Sequence, residues 1–179
     1  MYYVVQVKTG KEQQAIEDIM KNKPNDPNFE VFAPYRKALR KYRGVMKEVI
    51  ERCFPGYVFV QTDNVKELFV QLYWTPGFTK LLGREADTNN FVPLDKDESR
   101  MIDILYNASN NRVTEISNIE VKEGQQIRVL DGPLALLGLE AKIKKVNLHK
   151  RFVTIEYMMC GRLVTSDVGI NIITDVINK

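Results

Sequence analysis

The residues able to do chemistry are few. Cys53, Cys160 and His149 are the only cysteines and the only histidine, so a structural zinc site needing four nitrogen or sulfur ligands could draw at most three from this chain. The cysteines are expected to be reduced, partly buried small hydrophobes. His149, between Leu148 and Lys150 in a turn, is expected at the surface, where it can join a basic patch. Asp95, Asp97 and Glu98 form a carboxylate cluster, but they begin an apolar-periodic segment, where negative charge favours the helix dipole and caps free N–H groups. Gly132-Pro133 with Gly138 lacks the strand–GxxxxGK[ST]–helix context of a phosphate-binding loop, and no GxGxxG occurs. Nothing here is arranged to move a proton, form a covalent bond or hold a metal. The expectation is a protein that is not an enzyme and uses no cofactor.

Charge is more informative. Net charge is only +3, yet residues 36–52 hold seven basic side chains against two acids, and residues 142–162 hold six against one. Two separate basic patches on a nearly neutral chain point to local contact with phosphates. Between them lies CFPGYVFVQTD, residues 53–63. Here a Pro-Gly break precedes an alternating run in which Val58 and Val60 suit a core and Tyr57 and Phe59 suit a second, apolar face.

The elements that must position these residues follow from periodicity. Residues 2–8 alternate as a strand. Thr9 and Glu12 have capping-box spacing before the stripe Ala15, Ile16, Ile19 and Met20. FEVFAPYRKAL resumes an extended pattern near Phe29, and RKALRKYRGVMKEVIERC places Gly44 between two charged arms, a long hairpin with a basic face. Asp63 is a candidate cap for a helix carrying Val65, Leu68, Phe69 and Leu72, with Trp74 an anchor at its end. FTKLLG is a short strand, and Asp95 with Glu98 opens a further helix. The order is βα-βββ-α-β-α, a mixed α+β domain over residues 1–107. Residues 108–119 are polar, the mark of a linker. Residues 120–179 contain five short alternating runs, QQIRVLD, EAKIKKVN, RFVTIEYMM, RLVTSDV and INIIT, the pattern of a small all-β barrel. No apolar run approaches the roughly 20 residues needed to span a bilayer, and MYYVVQVK lacks the charged start of a secretion signal. A cytoplasmic location is expected.

YYVVQVKTGKE, FPGYVFV, TPGFTKLLG, VKEGQQIRVLDGPLALLGLEAKIKKVN and CGR, in this order, resemble the NusG family of bacterial transcription elongation and antitermination factors across nearly the whole chain. The resemblance implies an NGN domain of antiparallel sheet and flanking helices, joined by a linker to an SH3-like KOW barrel. It also implies that the NGN domain binds the clamp helices of the largest catalytic subunit of RNA polymerase and suppresses pausing. The matching surface residues are Phe54, Pro55, Tyr57 and Phe59, with Tyr3 and Leu82 nearby. The hairpin residues Arg36, Lys37, Arg40, Lys41 and Arg43 would face non-template DNA, through phosphate contacts that position without reading sequence.

Two departures from the family pattern matter. Lys142, Lys144 and Lys145 stand where general members are acidic, and Cys160 stands where they carry an aromatic before Gly-Arg. Both weaken the case for contacts to Rho or a ribosomal protein. With Lys142 and Lys144 on one face of a strand, Lys145 at the break of parity, and His149, Lys150, Arg151 and Arg162 nearby, the barrel gains a basic face suited to a nascent RNA hairpin. The chain is thus most similar to specialised paralogues of the LoaP group, monomeric factors that reduce pausing and termination in selected operons. The competing expectations are a general elongation factor with a protein-binding barrel, or an RfaH-like paralogue recruited by DNA.

Overall fold

The computed structural model describes residues 1–75, 78–81, 93–122, 126–138 and 141–173, with the backbone alone for 78–81. In chain order, β1 (Tyr2–Val7), α1 (Glu12–Lys21), β2 (Glu30–Phe32), β3 (Tyr35–Tyr42) and β4 (Val45–Arg52) come first. Next are β5 (Tyr57–Gln61), α2 (Val65–Trp74), β6 (Phe78–Leu81), α3 (Lys96–Leu105), β7 (Val113–Thr114) and β8 (Ser117–Val121). Then follow β9 (Ile127–Val129), α4 (Pro133–Leu136), β10 (Ala141–Asn147), β11 (Phe152–Met159) and β12 (Arg162–Ile172). The class is α+β, as expected. No helix among the described residues is long and apolar enough to cross a membrane.

The chain divides into two compact units. The first takes Met1–Pro34, Arg52–Arg100 and the turn Met159–Arg162. Its sheet has the order β2-β5-β1-β6, with β5 antiparallel to both β1 and β2. As an inner strand, β5 is covered on both faces: Val58, Phe59 and Val60 are all fully buried. The expected division between a valine side and an exposed aromatic side fails at Phe59 for this reason. Phe59 instead stacks on its sheet partner Phe32 at 5.6 Å between ring centroids. Pro34 ends the extended run from Phe29, so four strands rather than three separate α1 from α2. The Pro34 carbonyl accepts from Cys53 N at 3.0 Å.

Helix starts differ in detail from the sequence expectation. Asn64, not Asp63, caps α2, accepting from Glu67 N at 3.3 Å. Asp95 and Glu98 form the expected reciprocal capping box of α3, each backbone N–H donating to the other's carboxylate at 2.9 Å. Trp74 does not anchor the end of α2; it is exposed and meets Tyr73 edge-on.

The second unit takes Tyr35–Glu51, Met101–Met158 and the chain from Leu163. Its half-barrel sheet runs β10-β11-β12-β8-β9, and a smaller sheet joins β4, β3 and β7. Five barrel strands are present, but they are not the five read from sequence. RLVTSDV and INI form one strand, β12, that passes through Gly169, and β8 arises from the end of the stretch read as a linker. That stretch lacks an apolar stripe yet packs, because its polar side chains satisfy buried carbonyls. Thr114 and Arg112 are buried; the Thr114 hydroxyl donates to Leu105 O and Arg112 Nη1 to Tyr106 O at 3.0 Å. β7 then pairs with β3 in parallel, Tyr35 opposite Val113.

Candidate nucleic-acid interface

In the first unit, Phe54-Pro55-Gly56-Tyr57 is a reverse turn closed by Tyr57 N donating to Phe54 O at 3.2 Å. Pro suits its second position, and the third needs positive φ, which Gly56 supplies at +84°. A Cβ on Gly56 would lie 2.8 Å from Thr9 Oγ1, so the approach of the β1–α1 loop also requires glycine. Glu12 joins the two segments. Its carboxylate is fully buried, accepts from Gly56 N at 2.6 Å and Gly10 N at 3.1 Å, and pairs with Arg52. The capping-box expectation is corrected here: the glutamate reaches Gly10 and Gly56, and α1 has no side-chain cap. Burial works against ionisation of Glu12, but the N–H groups of Gly56 and Gly10 and its own, with Arg52 beside them, hold its carboxyl below the usual range.

This turn leaves Pro55 exposed and Phe54 and Tyr57 half-buried, while Tyr3 and Phe59 lie in the core. Phe54 packs on Phe59 at 5.8 Å between centroids. Of the six residues expected to form one apolar surface, only those of the turn present side-chain area. Phe59 supports it from beneath, Tyr3 is opposite Val60 in the register and so lies on the other face of the sheet, and Leu82 lies outside the described residues.

In the second unit, Arg43 and Gly44 take φ of 50° and 86°, a two-residue turn that matches the twist of the β3–β4 hairpin. The five hairpin cations are not equivalent. Arg40 grips Glu51 through Nε and Nη2, both at 2.7 Å, and Arg36 reaches the same carboxylate at 3.1 Å. Hydrogen bonding from Arg40 holds Glu51 below the usual carboxylate range. Lys37 pairs with Glu115 at 2.8 Å, which raises its ammonium pKa and lowers that of the glutamate. Lys41 and Arg43 are exposed, with no carboxylate partner among the described residues. Tyr42, for which the sequence offered no role, is exposed between Arg43 and Lys47, whose charges lie 5.4 and 5.3 Å from its ring centroid. An exposed ring flanked by cations can stack a base while phosphates are neutralised.

The barrel lysines are also redistributed. The β10–β11 register shifts between Ile143 and Lys145, so Lys142 lies opposite Glu156 and Lys145 opposite Thr154, two residues on one face of β11. Lys144 is the extra residue and bonds Glu156. The expected pair on one face, Lys142 with Lys144, is therefore Lys142 with Lys145. Both are exposed, as are His149 and Lys150 in the following turn. Arg151 closes that turn with φ of 57° and is half-buried, with Nη1 enclosed. Arg162 is exposed but falls in the first unit, beside the Cys160–Gly161 turn. Within that unit Gly161 N donates to Glu98 at 3.1 Å. Cys53 and Cys160 are half-buried, and no cluster of metal ligands occurs among the described residues.

Comparison with known proteins identifies the family and the fold. Residues 1–103 match the NusG family, described as transcription termination factor nusG. The transcription termination/antitermination protein NusG of Lactococcus lactis is 28% identical over 98% of this chain and 92% of its own length. Its counterpart from Thermus thermophilus is 28% identical over 90% of both chains. A solved structure entitled "Domain interaction in Thermotoga maritima NusG" matches with a TM-score of 0.55 at 19% identity, over 94% of this chain and 92% of that one. That likeness is one of fold.

Proposed function

The chain belongs to the NusG family of transcription termination and antitermination proteins, and from that premise we propose that it is a specialised antitermination factor. In this reading the turn Phe54, Pro55 and Tyr57 docks on the clamp helices of RNA polymerase, and the basic β10–β11 face binds structured nascent RNA. The protein then reduces pausing and termination in selected operons without catalysing a reaction.

The observation that carries the proposal is the run of exposed basic residues Lys142, Lys145 and Lys150, with His149 among them, on one strand and its turn. Of the three barrel lysines 142, 144 and 145, only Lys144 has a carboxylate partner among the described residues, Glu156. Phosphate contacts of this kind supply affinity that falls steeply with salt, whereas RNA shape and its unpaired loops supply selectivity. Partly exposed aromatics beside a proline offer interface area at low rotamer cost, which supports the turn as a protein contact.

The test is a titration of the full chain with a structured leader RNA, a matched DNA duplex and an unrelated RNA across salt concentrations. Preference for the structured RNA, lost in the Lys142→Ala/Lys145→Ala/Lys150→Ala variant, is expected. Equal, weak binding to all three would remove the RNA assignment and favour a barrel that binds protein.

A further inference from the structure

The basic hairpin and the basic barrel turn are assigned by sequence to different ligands, DNA and RNA, but both belong to the second unit. There they line one cavity of about 470 Å³. Four of its lining residues are basic: Arg40 and Lys41 from the hairpin, His149 and Lys150 from the turn. The remaining three, Leu39, Met46 and Phe152, are apolar. Its volume lies within the roughly 300–1,000 Å³ of small-ligand pockets, room for a nucleotide unit.

The juxtaposition is built into the backbone. A Cβ on Gly169 of β12 would stand 2.5 Å from Lys37 O, so β3 is seated against the barrel strand at a point where only hydrogen fits. One residue pair away, Arg36 Nη1 donates to Asp167 O at 3.1 Å and pairs with the Asp167 carboxylate at 3.4 Å. Arg40 is committed to Glu51. Lys41 and Lys150 are exposed and have no carboxylate partner among the described residues, which leaves them to receive an anion from outside.

We propose that these residues form one composite site for a single nucleic-acid strand, with a nucleotide lodged in the cavity, its phosphodiester held between Lys41 and Lys150 and its base against Phe152. The inference rests on the nucleic-acid function proposed above and adds that hairpin and turn act on the same strand. Cations from two elements flanking an aromatic floor are the chemistry of single-strand binding, where stacking and phosphate neutralisation combine. Phosphate and base are common to RNA and DNA, so the source of the strand is an outcome of the test.

The experiment measures fluorescence anisotropy of the full chain with labelled single-stranded RNA and with DNA of the same sequence. Lys41→Ala and Lys150→Ala, both at exposed positions, are each expected to weaken binding of the same strand several-fold and to lower its salt slope by about 0.7. Phe152→Leu, which keeps an apolar side chain, weakens binding with the salt slope unchanged. Unlabelled competitor displaces the label completely, and the strand bound more tightly identifies the source. If Lys41→Ala alters only DNA binding and Lys150→Ala only RNA binding, without cross-competition, the composite site is wrong while the RNA function stands. Binding of neither strand by the parent overturns the composite site and leaves the function to the titration with structured RNA, whereas preferential binding of a polyglutamate peptide overturns both.

Discussion

Glu12 and Gly56, 44 residues apart in sequence, are joined by a 2.6 Å hydrogen bond from the glycine N–H to a fully buried carboxylate. The same carboxylate holds Gly10 and Arg52, so one charge fixes the start of α1, the end of β4 and the apolar turn between Phe54 and Tyr57. Removing it with Glu12→Ala strands a buried N–H and a cation, and about 3 kcal/mol of stability should be lost in urea unfolding.

The ionisation of Glu12 has a definite sign. Its folded pKa is depressed below that of the unfolded chain, so its stabilisation is fully present above the ordinary glutamate value of about 4.3 and disappears as pH falls through the lower folded value. Stability measured down that window should fall more steeply in the parent than in Glu12→Gln. Parallel curves would show that the folded carboxyl titrates as it does in the unfolded chain.

Gly56→Ala should cost about 1–2 kcal/mol from the left-handed backbone alone, with a further penalty from the 2.8 Å approach to Thr9 Oγ1. Thr9→Ala added to Gly56→Ala should recover the second part and leave the first. Thermal unfolding of the single and double variants separates the two.

Phe59→Ala empties a fully buried site and should destabilise by about 3–5 kcal/mol. Phe54→Ala, at a half-buried position, should cost less and leave a folded protein. A polymerase pull-down lost in folded Phe54→Ala and Tyr57→Ala would support the turn as the contact; retention in both would move it elsewhere.

Glu156→Gln removes the acid that neutralises Lys144. RNA binding should tighten and its salt slope should steepen, the reverse of the effect of losing a lysine, when affinity is followed from low to moderate salt.

Much of this was legible in the chain. Alternation located the strands, Arg43-Gly44 the hairpin, Asp95 with Glu98 the third helix, and the order of short motifs the family. These are encoded within a few residues, because turn geometry, capping and periodicity depend on near neighbours. Tertiary structure decided the rest. Phe59 is buried because Phe32 of β2 and Phe54 of the turn pack against its ring, and Glu12 became a long-range fastener because the FPGY turn folded onto it. Ion pairing with Glu51, Glu115 and Asp167 determined which hairpin cations remain available. A one-residue bulge changed the partner of Lys142 from Lys144 to Lys145, and the seat of Gly169 on β3 brought Lys41 and Lys150 to one cavity. Burial on two faces and charge pairing across the fold depend on which distant segments meet, and local pattern carries no record of that.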